Sequence, residues 1–216
     1  MIELTGQLKN VPIIAILRGI TPAEGHDVGV ALVEAGIVTI EVPLNSPNAL
    51  DTIAALRHHL PAHVVVGAGT VLTIREVADV VAAGADFIVS PNVDRDVIDA
   101  AHRHDRTAIP GAATPTEILL AGRAGCGLVK VFPFESLGLT FLTAVLAILP
   151  TTIGLVPVGG VGTKDVGPVL MAGAAAIGTG GFLYKAGLTA EDVGTRASAL
   201  IRQLPNNALH AYNSED

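Results

Sequence analysis

No run of basic residues occurs anywhere in the sequence, and Lys plus Arg number 13 against 20 Asp plus Glu, a formal net charge of −7. Neither a nucleic acid nor an anionic membrane surface is therefore expected as a partner, since no counter-charged face is available. Any anion that binds must be met by locally placed cations and backbone amides. A second cysteine is missing too. Cys126 alone excludes an internal disulfide framework and fits a reducing compartment. Half of the 216 residues are hydrophobic, yet Gly, Pro or charge breaks every apolar run before it reaches the length of a membrane span. The opening residues, with Glu3 and Lys9, lack the apolar segment and cleavage site of a signal peptide. Linkers, charge blocks and low-complexity stretches are also wanting. The expectation is one soluble cytoplasmic domain over residues 1–216, with a short N-terminal lead-in and a tail frayed after about Pro205.

What the chain does contain is a repeated alternation. Eight short apolar runs recur: Val11–Leu17, Thr39–Leu44, Val64–Thr70, Phe87–Asn92, Thr107–Ala113, Leu128–Pro133, Gly154–Gly160 and Ala175–Gly181. Each reads as a strand buried on both faces. The segments between them carry helix starts. Thr21-Pro22-Ala23-Glu24 and Thr114-Pro115-Thr116-Glu117 combine an N-cap threonine, a proline at N1 and a glutamate at N3. Thr73 with Glu76 repeats the box, and Ser46-Pro47 offers a shorter version. Ala35-Gly36, Ala83-Gly84, Ala121-Gly122 and Ala172-Gly173 stand where helices should end on a C′ glycine. Eight strand–helix units predict a parallel α/β architecture, and their number favours a closed (β/α)8 TIM barrel over an open doubly wound sheet.

A barrel of this kind carries its active site at the C-terminal ends of the strands. In chain order those ends present Arg18, Glu41, Thr70, Ser90-Pro91-Asn92, Pro110-Gly111, Lys130, Val158-Gly159-Gly160 and Gly178-Thr179-Gly180-Gly181. Lys130 is the unexpected one. A lysine inside Leu-Val-Lys-Val-Phe-Pro is desolvated, which lowers its pKa and frees the amine to attack a carbonyl. The alternative is a strand-end lysine that snorkels to water. Alternation puts Glu41 on a face with Thr39 and Pro43, and Lys130 on a face with Leu128 and Phe132. If both faces point inward, a carboxylate and an amine meet in a partly desolvated pocket. They would then serve as acid/base and nucleophile, or else as a structural ion pair. Arg18 offers a planar donor fork for a carboxylate, and Thr70 could add a hydroxyl. Gly159, Gly160, Gly178, Gly180 and Gly181 match the phosphate site that barrels form after strands seven and eight. The seven histidines fall away from this rim with no acid cluster beside them, so no metal is expected.

Leu17-Arg18-Gly19, Glu41-Val-Pro-Leu-Asn-Ser-Pro47, Gly67-Ala-Gly-Thr70, Ser90-Pro91-Asn92, Lys130-Val-Phe-Pro133 and Gly159-Gly160-Val161 stand in this order. Together they resemble the pyruvate-dependent class I aldolases that cleave 2-keto-3-deoxy-6-phosphogluconate or its galactonate epimer. The resemblance covers roughly residues 11 to 200 and implies a small barrel, a homotrimer, and no metal or other cofactor. It makes Lys130 the Schiff-base lysine and Glu41 the proton donor and acceptor. Arg18 and Thr70 would bind the pyruvate-derived carboxylate, the five glycines the phosphate, and Pro91, Phe132 and Val158 would line the pocket. The small-molecule partners implied are a sugar-acid phosphate and pyruvate. Pro-Leu-Asn-Ser-Pro, and Val158 before the double glycine, look like the galactonate branch. Two positions depart from the family: Gly181 where serine is common, and Phe134 where a small residue is usual. The residues also admit an aldolase for 4-hydroxy-2-oxoglutarate or an unphosphorylated 2-keto-3-deoxy sugar acid, a phosphate-binding barrel isomerase or epimerase with Glu41 as base, and a non-catalytic sugar-acid sensor.

Overall fold

A computed structural model describes residues 4–205; the tail beyond Pro205 lies outside the described residues. The expected runs appear as short parallel strands: β1 (Ile13–Ile16), β2 (Thr39–Pro43), β3 (Val65–Gly69), β4 (Phe87–Val89), β5 (Thr107–Ile109), β6 (Gly111–Ala112), β7 (Leu128–Val131), β8 (Gly154–Pro157) and β9 (Ile177–Thr179). Eight expected strands become nine because Pro110 interrupts the fifth run. Proline has no N–H to give to a ladder. The result is a six-stranded sheet ordered β5-β4-β3-β2-β1-β9 and a three-stranded sheet ordered β6-β7-β8, in place of one continuous closed ladder. The sheets still touch at both margins. The Pro110 carbonyl accepts the Lys130 N–H at 2.9 Å, and a single parallel bridge joins Val158 to Gly178.

Helices alternate with the strands: α1 (Leu4–Asn10), α2 (Pro22–Glu34), α3 (Ala49–His59), α4 (Ile74–Ala82), α5 (Arg95–Arg103), α6 (Pro115–Arg123), α7 (Phe134–Leu146), α8 (Thr163–Met171) and α9 (Ala190–Ile201). The capping signals at Thr21, Thr73 and Thr114 are realised. The Thr73 N–H donates to Glu76 at 2.9 Å and the Glu76 N–H donates back to Thr73 Oγ1 at 3.2 Å; Thr114 and Glu117 do likewise. Two local expectations fail. Asn48, in the left-handed region at φ 48°, precedes α3, whereas Ser46 is buried and accepts the Gly19 N–H at 2.9 Å, tying the end of β1 to the loop after β2. Gly122 lies inside α6, and Gly125, at φ 90°, takes the positive-φ position three residues later. Gly36, Gly84 and Gly173 do adopt positive φ just past their helices.

Burial divides into two clusters, as a two-layer α/β domain requires. The larger lies between helices and sheet. The smaller takes alternate residues of the strands, Ile14 and Ile16, Val65, Phe87 and Val89, Ile109, Leu128, and Val156 and Val158, so it fills the space the strands enclose. Leu4 and Leu8 of α1 join this inner cluster and cover its N-terminal end. The polar residues are left at the other end.

Candidate active site

Leu128 belongs to the inner cluster, and two residues on along β7 Lys130 points the same way. Its neighbours are Gly111 on β6 and Val156 on β8. Glu41 lies in the middle of β2, opposite Gly67 on β3. Both are nearly removed from water, Lys130 at 5% exposure and Glu41 at 2%. Glycine makes this possible. A Cβ at Gly69 would overlap the Glu41 carboxylate, and one at Gly111 would collide with the backbone of Ser90 and Pro91.

Burial dominates the electrostatics. Desolvation raises the Glu41 pKa above its ordinary value, while the positive charges of Lys130 and Arg18 pull it down. Desolvation lowers that of Lys130; the Glu41 charge opposes this and Arg18 adds to it. Among the described residues no ion pair joins the two, and the Glu41 Oε1 atom has no hydrogen-bond partner. A closed structural ion pair is therefore not what the space between the strands holds. Such an orphaned buried acceptor is costly in an ordinary core.

Beside Lys130 opens a cavity of about 370 Å³. Eight of the residues singled out from sequence line it: Arg18, Lys130, Phe132, Val158, Gly159, Gly160, Gly180 and Gly181. The Phe132 ring centre lies 5.0 Å from the Lys130 Nζ. Arg18 donates to Asn45 Oδ1 at 2.6 Å, which aims its guanidinium across the strand ends. Gly159 and Gly160 turn at φ 109° and 71°. Three bonds pin that turn: Val158 N–H to the Val131 carbonyl (2.9 Å), Phe134 N–H to the Val158 carbonyl (2.8 Å) and the Thr179 hydroxyl to the Val161 carbonyl (2.9 Å).

Four expected site residues stand outside the cavity lining. Glu41 is next to it, coupled to Lys130 and Arg18 by charge. Thr70 follows β3 at φ 58°, a left-handed conformation that is strained for a β-branched residue. Pro91 packs its carbonyl against Gly111. Gly178 lies within the β9 ladder, where its missing Cβ makes room for Val158. Ile16 and Val161 also line the cavity, and Glu135, Phe182 and Lys185, which sequence reasoning missed, complete it. The only signal for them is position, just after a strand-end motif. Cys126 is buried away from this rim, and burial pushes its thiol up to about 11, so it is unreactive. Among the described residues no three His, Cys, Asp or Glu side chains converge as metal ligands, and no helix is long and apolar enough to cross a membrane.

Known proteins resemble this chain in sequence and fold. The family pattern described as "Aldolase: KDPG and KHG aldolase" matches residues 4–198. A Rhizobium meliloti (strain 1021) protein named "Probable 2-dehydro-3-deoxy-6-phosphogalactonate aldolase" is 41% identical over 190 residues, covering 88% of this chain and 90% of that one. A solved structure titled "Native KDPGal structure" superposes with a TM-score of 0.87 at 37% identity, covering 89% of this chain and 94% of the other. Another, a Legionella pneumophila KDPG aldolase with pyruvate captured as a covalent carbinolamine intermediate, superposes at 0.80 with 26% identity over 93% and 96% of the two chains. The chain, an α/β protein built on parallel strands, belongs to the KDPG and KHG aldolase family.

Proposed function

We propose that this protein is a class I aldolase cleaving 2-dehydro-3-deoxy-6-phosphogalactonate, or its gluconate epimer, to pyruvate and glyceraldehyde 3-phosphate. The observation that carries the reading is the buried Lys130 amine, unpaired beside an open cavity and facing the buried Glu41 carboxylate. Desolvation keeps a fraction of the amine neutral and therefore nucleophilic. Lys130 adds to the C2 ketone, and loss of water gives an iminium that serves as electron sink. Glu41, directly or through water, removes the C4 hydroxyl proton. The C3–C4 bond breaks, its electron pair flows to the iminium to give a pyruvate enamine, and the aldehyde departs. Protonation at C3 and hydrolysis release pyruvate and restore Lys130. A carboxylate with a raised pKa suits both proton transfers. Arg18 and Thr70 hold the carboxylate end, and the amides of Gly159, Gly160, Gly180 and Gly181 face the phosphate, with Phe132, Val158 and Pro91 shaping the path between. The relatives' names support the galactonate substrate, as does Val158 before the double glycine.

The same reading takes the two sheets as one (β/α)8 barrel forming a single domain, since Pro110 and the Val158–Gly178 bridge bring their margins together. It takes the assembly as a homotrimer acting in the cytoplasm without a cofactor. Two observations favour a second reading. Glu135 lies against Gly160, which suits an unphosphorylated 2-keto-3-deoxy sugar acid ending in a hydroxyl, and Gly181 brings no hydroxyl for a phosphate, which also leaves 4-hydroxy-2-oxoglutarate as a substrate of this second reading. The deciding experiment is pyruvate with sodium borohydride, followed by peptide mapping. A single reduced adduct on Lys130 is the expected result. A folded protein with no adduct would overturn Lys130 as nucleophile and bring an isomerase or epimerase to the front.

A further inference from the structure

Besides Lys130, two basic side chains line the cavity, in different places. Arg18 acts on the reacting end: its charge is felt at both Glu41 and Lys130, and Asn45 holds it there. Lys185 lines the same cavity from the loop after β9, together with Gly180, Gly181 and Phe182, so it stands beside the glycines assigned to the phosphate. Its ammonium has no hydrogen bond or ion pair among the described residues, while the segment that carries it is firmly anchored. Leu183 and Tyr184 are buried and both donate their N–H groups to the Gly180 carbonyl, at 2.8 and 2.9 Å. The Tyr184 hydroxyl is 3.2 Å from Glu24 Oε1, and Arg196 donates to the Phe182 carbonyl at 2.9 Å. A free cation thus stands on a fixed loop beside a cavity. Across from it Glu135, also without a partner among the described residues, leans over Gly160; a Cβ there would come within 2.9 Å of its carboxylate oxygen.

No hydroxyl-bearing side chain lines this end of the cavity. Backbone amides alone would face the Glu135 charge, so an anion needs a compensating cation. We propose that Lys185 is the specificity-determining residue for the distal phosphate, and that Glu135 opposes it. The balance between them decides whether the cavity prefers a phosphorylated chain or one ending in a hydroxyl. This rests on the aldolase reading for its substrate class, but the anion site can be probed without turnover. A substrate with a carboxylate at one end and a phosphate at the other would span Arg18 and Lys185. Loss of a single charge-assisted contact is worth about tenfold in binding.

The test uses the full chain and the variants Lys185→Gln, Lys185→Arg and Glu135→Gln, each checked for an unshifted melting temperature. Glycerol 3-phosphate binding is measured by calorimetry, and kcat and KM for 2-keto-3-deoxygalactonate with and without its 6-phosphate. Lys185→Gln should weaken glycerol 3-phosphate at least tenfold and lower the phosphorylated-to-unphosphorylated kcat/KM ratio by as much, mainly through KM. Lys185→Arg should restore most of it, and Glu135→Gln should raise the ratio. No measurable binding by the unmodified protein, or a Lys185→Gln ratio within twofold of it, would overturn the assignment. If Lys130 forms no pyruvate adduct while Lys185→Gln still weakens glycerol 3-phosphate, the aldolase reading falls and the anion site stands. If the adduct forms and Lys185→Gln changes nothing, the anion site falls and the aldolase reading stands.

Discussion

Lys130 and Glu41 show how one physical cause, burial, prepares two residues for opposite tasks. Removing both from water depresses the lysine and elevates the carboxylic acid, so their titrations move towards each other. The rate of pyruvate adduct formation should therefore rise with pH and level off below the ordinary lysine value of 10.5; a plateau reached only there would count against a desolvated amine. Glu41→Gln should cut kcat by about 10²–10⁴-fold, the usual range for an acid–base group, with the fold intact. It should also stabilise the protein in a pH-dependent way. Glu41 has a folded pKa above 4.5, so below that value neither folded nor unfolded chain is ionised there and burial costs nothing. As pH climbs, the unfolded chain ionises first and stability falls, until the folded carboxyl ionises too. Melting curves of Glu41→Gln and the unmodified protein should coincide in acid and separate at neutral pH, the variant melting higher. Lys130 works in the other sense, since its stability penalty shrinks as pH rises from its lowered pKa towards 10.5.

At the scale of the element, glycines inside strands do as much for the site as the charged residues. Gly67 gives the Phe87 ring its place in the inner core, and Gly69 gives the Glu41 carboxylate its own. Gly69→Ala should displace that carboxylate and lower kcat at least about tenfold, within the loss expected for a misplaced acid–base group, while the melting temperature changes much less. Equal falls in both would mean that Gly69 serves packing alone. Helix starts contribute stability without touching the chemistry. Thr73→Ala removes the acceptor for the Glu76 N–H and should cost about 1 kcal/mol. For a chain of this size that is about 2–4 °C in melting temperature, with kcat unaltered.

For the whole molecule, the alternation of short strands and helices turns every strand end to one rim, so residues far apart in sequence share a cavity. Lys130 comes from β7, and Arg18, Gly160 and Lys185 come from the connections after β1, β8 and β9. Several large apolar side chains remain exposed, among them Leu72, Ile74, Ile148 and Met171 at 47, 51, 62 and 80%. Sedimentation should return three times the 22.0 kDa chain mass for the proposed trimer, and any other mass would count against it.

Much of this was determined by the sequence alone, because it depends on local periodicity and local capping. Short continuous apolar runs bounded by turn residues, Thr-x-x-Glu boxes and most of the Ala-Gly pairs mark strands and helices by local sequence. A lysine within such a run is conspicuous because burial of its charge is costly. Other features were decided only by tertiary structure. Ser46 has the form of a cap but bonds to the Gly19 amide, 27 residues away. Pro110 sits within one apolar run but divides two sheets, because its missing N–H matters only once a partner strand is beside it. Glu135 and Lys185 carry no motif at all. Their place in one cavity depends on how the loops after two strands pack at one rim, and no local rule encodes a shared lining by segments about fifty residues apart.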